Sequence, residues 1–190
     1  MIALSWACLH TPVGQMSVGC SQAGVARVRY GSPTIPIRGE RGAATRSIRG
    51  SAAAGFAEAT RAELIEYFRG ERRVFDVPVD YSPMAEPQRT VLTLLAETVG
   101  YGETISYGAL ARRAGLPVDP ASARIVGTIM AANPVPVIVP CHRVLARDGL
   151  GGYSGGAGVE VKRWLLILEG SQPPTLDWDA RGISQGRPTG

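Results

Sequence analysis

The sequence predicts an α+β fold, with short strands in the first half of the chain and helices in the second. Residues 13–30 alternate weakly between apolar and polar side chains and contain Gly24, as expected for a hairpin of short strands. From residue 87 onward, apolar side chains recur at helical spacing between start and stop signals. At 190 residues, the chain fits one ordinary domain or two small ones.

This change of pattern predicts two domains. We expect an N-terminal α+β domain at 1–86 and a mainly helical C-terminal domain at 87–170. The segment at about 31–54 is rich in Gly, Ser, Pro and Ala, and we interpret it as a flexible, solvated loop. Residues 171–190 are rich in Pro, Gly, Ser and Asp, which predicts a disordered tail.

The rest of the first half predicts one helix and one more strand. Phe56–Phe68 carries apolar residues at helical spacing, and Gly70 follows it as a helix stop. Val74–Val79 alternates, and Pro78 favours a position at a sheet edge because proline has no N–H to donate.

The second half predicts four helices, at Arg89–Val99, Tyr107–Ala114, Pro120–Ala132 and Gly158–Leu168. Ser106 and Asp119 are good N-cap residues for the second and third of these helices, and Asn133-Pro134 ends the third. Two short helices joined by a turn suggest a helix-turn-helix, with an ordinary helical hairpin as the alternative.

The third helix has two distinct faces. Ile125, Val126, Ile129 and Met130 form a candidate core stripe. The other face carries small side chains and a single arginine; its members are Ala121, Arg124, Thr128 and Ala131. Such a face could approach nucleic acid closely while the arginine projects from it, and the alternative for Arg124 is a structural salt bridge.

Charge and composition narrow the possible partners. The net charge of +4 and pI of about 9.2 permit a nucleic-acid partner without requiring one. Lys162 is the only lysine, so 19 of the 20 basic residues are arginine, which suits phosphate contact but is also explained by genome base composition. No apolar run is long enough to cross a bilayer, and the first residues do not resemble a signal peptide.

The cysteines favour a working thiol over a disulfide or a metal site. Three cysteines are an odd number, which argues against a disulfide framework and fits a reducing cytoplasm. Cys8, His10 and Cys20 supply three candidate zinc ligands, but tetrahedral zinc needs a fourth. We therefore predict no metal.

Cys141 and His142 are the strongest chemical signal in the chain. They follow the proline-rich run at residues 134–140, and His142 is one of only two histidines. Because the thiolate is the nucleophilic form of cysteine, an adjacent base that lowers the thiol pKa would activate Cys141. The alternative is a buried, inert cysteine in a strand.

An ordered set of motifs surrounds this pair. These are Tyr101-Gly102-Glu103-Thr104-Ile105-Ser106-Tyr107, Ser122-Ala123-Arg124-Ile125-Val126-Gly127, Asn133-Pro134-Val135-Pro136, Pro140-Cys141-His142-Arg143-Val144, Gly152-Tyr153-Ser154-Gly155-Gly156, Lys162-Arg163-Trp164-Leu165-Leu166 and Leu168-Glu169-Gly170. The set resembles the O6-alkylguanine-DNA alkyltransferases, also called methylated-DNA–protein-cysteine methyltransferases. The resemblance is dense from about Pro87 to Gly170 and thin before it. It implies a ribonuclease H-like N-terminal domain and a winged helix-turn-helix C-terminal domain.

The resemblance also implies catalytic roles. Cys141 matches the alkyl acceptor, His142 the base that takes its proton through a water, and Glu169 the group that orients the histidine. Tyr107 matches the residue that protonates the departing base and crowds the target phosphate. Asn133 matches a turn residue that braces the site.

DNA contacts are implied in the same way. Arg124 matches the arginine finger that fills the stack after the target base is flipped out. Tyr107, Ala121, Thr128 and Ala131 would lie against the DNA. The guanine pocket would be lined by Met130, Val144, Tyr153 and Ser154. The implied partner is double-stranded DNA carrying O6-alkylguanine. We expect a cytoplasmic monomer that uses no cofactor and has no membrane contact.

Three alternatives compete with a repair alkyltransferase. Related damage sensors bind the lesion but lack the acceptor cysteine, whereas this chain has Cys141. A sequence-specific transcription factor would need polar side chains aimed at base edges, and the small-residue face of the third helix offers few. A cysteine hydrolase would need a histidine remote in sequence and an oxyanion hole, and the other histidine, His10, has no supporting motif.

Overall fold

Three antiparallel strands open the chain. The computed structural model describes residues 3–31, 50–176, 179 and 182–183. Strands β1 (Ser5–Thr11), β2 (Gly14–Ser21) and β3 (Gly24–Tyr30) form a meander in the order β1-β2-β3. Val18 at its centre pairs with Ala7 on one side and Val28 on the other. The hairpin predicted at 13–30 is confirmed, and the apolar opening of the chain adds β1.

A long helix covers the sheet. Helix α1 (Ala52–Phe68) begins where the Ser51 hydroxyl accepts a hydrogen bond from the Ala54 N–H at 3.2 Å. It therefore starts four residues before the predicted helix, inside the segment assigned to a loop. Residues 32–49 of that predicted loop lie outside the described part of the chain, as does most of the predicted tail.

The strand predicted at Val74–Val79 is wrong. Only Val79 pairs with the sheet, through a parallel bridge to Val25 at the edge of β3, and Val74 is 70% exposed. The N–H groups of Asp76 and Val77 donate instead to Glu63 Oε2, at 2.9 and 3.4 Å. Because Pro78 has no N–H, the ladder cannot extend past this point.

The second half is helical, as predicted. Its elements are α2 (Gln88–Thr98), β4 (Ile105–Ser106), α3 (Tyr107–Arg113), α4 (Pro120–Ala131), a 3₁₀ turn (Cys141–Arg143), β5 (Val144–Leu145) and α5 (Val159–Leu168). Strands β4 and β5 pair in parallel. The Ser106 and Asp119 side chains accept from the Ala109 and Ser122 N–H groups, which confirms both predicted caps.

Helix α4 packs against α3 with a narrower core stripe than predicted. Ser122, Val126, Ile129 and Met130 are buried. Ile125, which we assigned to the core, is 44% exposed because it lies at the border between the buried and the outer face of the helix. The helix-turn-helix interpretation of α3 and α4 stays a prediction.

One continuous apolar core runs through both halves of the chain. It extends from the sheet and α1 to α2, α4 and α5. At the seam, the Val28 N–H of β3 donates to the Pro134 carbonyl at 2.8 Å, which ties the sheet to the segment that precedes Cys141. The N-terminal half therefore helps to position the candidate site. Within the described residues, no helix has the length and apolar character needed to span a membrane.

Candidate active site

Cys141 begins a tight turn at the end of a braced loop. The Asn133 side chain holds this loop from inside, because its Nδ2 donates to the Val139 carbonyl at 2.9 Å and its Oδ1 accepts from the Val135 N–H at 3.0 Å. Val137 adopts a φ of 75°, a left-handed conformation that strains a β-branched residue. The cysteine is thus fixed by a compact turn and not by a strand.

The resting thiol of Cys141 is protonated. Only 5% of the residue is exposed, and burial raises the thiol pKa above its usual value. A hydrogen bond from the Asn133 side chain and the positive charge of Lys162 oppose this rise without cancelling it. Our expectation that the pKa would be lowered is therefore wrong for the free protein, since desolvation outweighs the neighbouring groups.

His142 and Glu169 form a fully buried pair. The distance from His142 Nε2 to Glu169 Oε1 is 2.9 Å. Burial lowers the pKa of His142, so the ring is neutral, although Glu169 acts in the opposite direction. An ionised Glu169 can only accept, so Nε2 carries the proton and the lone pair lies on Nδ1. Among the described residues, Nδ1 has no hydrogen-bond partner.

Three more donors converge on the Glu169 carboxylate. Arg143 donates from Nε to Oε2 and from Nη2 to Oε1, both at 2.9 Å. The Tyr67 hydroxyl donates to Oε1 at 2.7 Å, and the Gly102 N–H donates to Oε2 at 3.4 Å. Burial alone would raise the Glu169 pKa, but His142 and Arg143 more than offset it and hold that pKa well below its ordinary value.

A cleft of about 980 Å³ opens above Cys141. Besides the cysteine, its wall includes the predicted site residues Tyr107, Arg124, Met130, Tyr153 and Ser154. Ala131 also lines it, whereas Ala121 and Thr128 lie on the exposed outer face of α4 and outside the wall. Val144, whose backbone is predicted to line the guanine pocket, is fully buried and outside this wall, which contains Leu145.

Lys162 supports one wall of this cleft. Its Nζ donates to the Val144 carbonyl at 2.7 Å and to the Gly152 carbonyl at 3.2 Å, and it lies 5.7 Å from the centre of the Tyr107 ring. Burial lowers its pKa to about 8. We assigned Lys162 no role from the sequence, although being the only lysine was a signal that could have singled it out.

Tyr107 lines the cleft beside Lys162. Its hydroxyl donates to the Gly152 carbonyl at a long 3.4 Å. Burial, followed by the nearby Cys141, raises the Tyr107 pKa, so the phenol keeps its proton and can donate it to a bound molecule. The cleft wall therefore combines a buried thiol with a hydrogen-bond donor, while His142 is fully buried and lies outside that wall.

Comparison with known proteins agrees with this arrangement. Residues 86–171 match the family model described as the 6-O-methylguanine DNA methyltransferase, DNA binding domain. A methylated-DNA–protein-cysteine methyltransferase from Methanopyrus kandleri is 46% identical over 112 residues, which cover 58% of this chain and 79% of that protein. The chain belongs to the methylated-DNA–protein-cysteine methyltransferase family.

Two further relatives extend the likeness over nearly the whole chain. A DNA base-flipping protein from Thermus thermophilus is 39% identical over 165 residues, 86% of this chain and 98% of that protein. The crystal structure of Mycobacterium tuberculosis OGT in complex with DNA superposes with a TM-score of 0.68 at 31% identity, covering 88% of this chain and 93% of that one. The mixed α/β architecture of this alkyltransferase-family chain therefore matches a solved relative.

Three arginines border the cleft of this alkyltransferase-family chain: Arg112, Arg124 and Arg147. All three are exposed, and sequence reasoning singled out only Arg124. In the described part of the chain, no carboxylate forms a salt bridge with Arg124. The structural salt bridge that we considered for Arg124 therefore has no partner there.

The three zinc candidates of the N-terminal sheet do not come together. Cys8 and His10 are exposed on one face of β1, whereas Cys20 is buried, with its Sγ 3.7 Å from Thr60 Oγ1. Among the described residues, no three or more His, Cys, Asp or Glu side chains form a cluster that could hold a metal ion.

Proposed function

We propose that this protein repairs DNA directly, by transferring the alkyl group of O6-alkylguanine in a duplex to its own Cys141. The observation that carries the proposal is the position of Cys141. Its thiol lies at the floor of a 980 Å³ cleft, next to a neutral histidine held by a buried carboxylate. A cleft of this size suits a flipped nucleotide, which must leave the base stack before its O6 substituent can be reached.

The proposed reaction starts from a neutral thiol and a neutral imidazole. As the target base enters the cleft, His142 Nδ1 accepts the thiol proton through a water, and the buried Glu169 stabilises the imidazolium that forms. The sulfur attacks the alkyl carbon, an S–C bond forms, and the bond from that carbon to O6 breaks. The electron pair of the broken bond leaves with guanine.

Guanine leaves more easily when it gains a proton as the bond breaks. Tyr107 faces the cleft with a protonated hydroxyl, and we assign it this donor role. The product is a thioether on Cys141. No group of the site can return a thioether to a thiol, so each molecule reacts once and needs no cofactor, because the damaged base supplies the alkyl group.

DNA contact is assigned to the rim of the cleft. Arg124 would enter the stack in place of the flipped base, and the small side chains of α4 at Ala121, Thr128 and Ala131 would allow close approach to the duplex. One chain contains every group that the reaction needs, which supports action as a monomer. The working thiol suits a reducing compartment, and we place the protein in the cytoplasm.

A second candidate function is lesion sensing without transfer. It is favoured by the likeness to the Thermus thermophilus protein, whose name describes base flipping alone. The presence of Cys141 beside a paired histidine favours transfer.

Intact mass measurement separates the two functions. After incubation with a duplex oligonucleotide containing O6-methylguanine, transfer predicts a gain of about 14 Da on Cys141. Cys141→Ser should show no gain while still binding the duplex. Binding by the wild type without a mass change would establish the sensor, and an adduct on Cys8 or Cys20 would overturn the acceptor assignment. The same assay with O4-methylthymine tests whether the cleft accepts this smaller base.

A further inference from the structure

A second cavity, of about 430 Å³, also borders Cys141. Four residues belong to the walls of both cavities: Met130, Cys141, Tyr153 and Ser154. The far wall of the smaller cavity is built by β3 of the N-terminal sheet, through Val28, Arg29 and Tyr30. Cys141 thus borders both a large cleft lined by arginines and a smaller cavity with one wall supplied by the N-terminal sheet.

The geometry of the proposed transfer gives these two spaces different occupants. During displacement, the carbon under attack lies between the sulfur and O6, and the rest of the alkyl group must project to the side. The flipped guanine fills the larger cleft. An alkyl group longer than methyl therefore needs room beside Cys141, and the smaller cavity is the adjoining space that it would enter, with Tyr30 in its wall.

Tyr30 is held rigidly in the wall of that smaller cavity. Its hydroxyl and the Tyr153 hydroxyl are 3.0 Å apart and share a hydrogen bond. Its ring lies against the backbone of Gly155 and Gly156, so closely that a Cβ on Gly155 would overlap it and one on Gly156 would lie 2.9 Å from Cδ1. Because the ring is held at both its tip and its face, it cannot swing aside without breaking these contacts.

Both tyrosines of the Tyr30–Tyr153 contact are uncharged because they are buried. Burial raises the pKa of Tyr30 and of Tyr153 well above the usual tyrosine value, so both remain neutral phenols at physiological pH. The wall is then the same throughout the pH range in which the thiol can react.

We infer that Tyr30 sets the size limit for the transferred alkyl group, by closing the space beside Cys141 with a ring supplied from the N-terminal sheet. The inference rests on the proposed function and deepens it, since it names the adducts that the site should prefer. Methyl adducts fit without entering the smaller cavity, whereas benzyl-sized adducts meet the Tyr30 ring.

Paired substrates test this inference. Single-turnover rates are measured with two duplexes of the same sequence, one containing O6-methylguanine and the other O6-benzylguanine, with adduct formation followed by intact mass. Tyr30→Ala should raise the ratio of the benzyl rate to the methyl rate by roughly tenfold or more, as expected when a steric block is removed from a pocket. Tyr30→Phe keeps the ring and should leave the ratio close to that of the wild type.

Controls separate the size limit from general loosening. Tyr81→Ala removes another partly buried tyrosine that lines neither cavity, and it should leave the ratio unchanged. Tyr30→Leu retains an apolar side chain in the wall and replaces the alanine variant if that one does not fold. An unchanged ratio in the folded truncation variant, or an equal rise in Tyr30→Phe, would overturn the inference. A wild type inert towards both adducts would instead overturn the proposed function, and the inference with it.

Discussion

Glu169 is the residue on which most of the buried polar contacts of the site depend. Its carboxylate accepts from His142 and Arg143, which are near neighbours of the nucleophile, and from Tyr67, which belongs to α1. A buried carboxylate with this many donors is strongly stabilised in its ionised form. The orientation of the His142 ring therefore depends, through Glu169, on Tyr67, which lies 102 positions away from Glu169 in the sequence.

Removing the Tyr67 hydroxyl tests this dependence. Tyr67→Phe keeps the ring packing but deletes one donor to Glu169 Oε1, so we expect the free energy of unfolding to fall by about 1.5–3 kcal/mol. Transfer to Cys141 should also slow, because the carboxylate can tilt away from His142. Urea denaturation and single-turnover rates measure the two effects. Tyr81→Phe is the matched control, and a rate loss of the same size in that variant would argue against positioning.

The pH dependence of transfer follows from the neutral His142. Because burial lowers its pKa, the ring remains able to accept a proton below the ordinary histidine value of about 6.5. The single-turnover rate should therefore stay level as the pH is lowered from 8 through 6.5, and should decline only at more acidic pH. A rate that halves near pH 6.5 would show that His142 titrates as an exposed histidine does.

The pH dependence of stability has the same origin and a definite sign. His142 and Glu169 both have lower pKa values in the folded state than in the unfolded state. Their stabilisation is complete above the unfolded values, about 6.5 and 4.3, and is lost as the pH falls towards the folded ones. Denaturant titrations from pH 8 to pH 4 should show stability beginning to fall below about 6.5, and His142→Gln should remove that first part of the decline.

Local sequence identified the candidate site residues and missed the residues that contact them. Cys141, His142, Tyr107 and Glu169 belong to short motifs, so a single stretch of chain identifies each one. Tyr67 and Tyr30 lie in segments with no chemical motif and reach the site only through tertiary packing. The direction of the Cys141 pKa was missed for the same reason, since desolvation depends on what covers the thiol.

Helix α4 shows how well local signals define an element. The Asp119 cap predicted its start at Pro120, and Asn133-Pro134 predicted its end to within one residue. Both signals are local because the residues that start and stop a helix adjoin its ends. The strand predicted at Val74–Val79 does not form, because the N–H groups of Asp76 and Val77 donate to the Glu63 side chain. Glu63 lies on α1, so the local sequence of the segment could not predict this contact.

The outer face of α4 makes a prediction about Arg124. If this side chain fills the stack after base flipping, Arg124→Ala should slow repair of duplex O6-methylguanine far more than reaction with the free O6-methylguanine base, which needs no flipping. Arg89→Ala, an exposed arginine on α2 outside both cavity walls, is the control and should affect neither reaction. Equal losses on both substrates would mean that Arg124 supports the cleft itself.

On the scale of the whole molecule, the two predicted domains share one core. The continuous apolar cluster and the hydrogen bonds that cross it predict a single cooperative unfolding transition. Trp6 lies in the sheet and Trp164 in α5, so variants that retain one of these tryptophans report on each half. Coincident midpoints are expected, and a midpoint for Trp6 well below that for Trp164 would instead show that the N-terminal half unfolds independently.

Overall charge predicts how the protein responds to salt. Arg112 and Arg147 border the cleft beside Arg124, which is assigned to the base stack, so about two phosphate contacts are expected. The slope of log K against log salt should then be about −1.8, and Arg112→Ala should reduce its magnitude by about 0.9. Binding isotherms at several salt concentrations measure both values. A much steeper slope would indicate that further arginines contact the DNA. The arginines at 38, 41, 46 and 49 would be the first to test by deletion.

The protonated, buried state of Cys141 also bears on selectivity towards other electrophiles. Oxidants and small alkylating agents react fastest with exposed thiolates, whereas Cys141 is only 5% exposed and burial raises its thiol pKa. Cys8 is exposed and should be carbamidomethylated by iodoacetamide long before Cys141. If each molecule reacts once, as proposed, a covered and protonated thiol is protected from other electrophiles until it meets a damaged base.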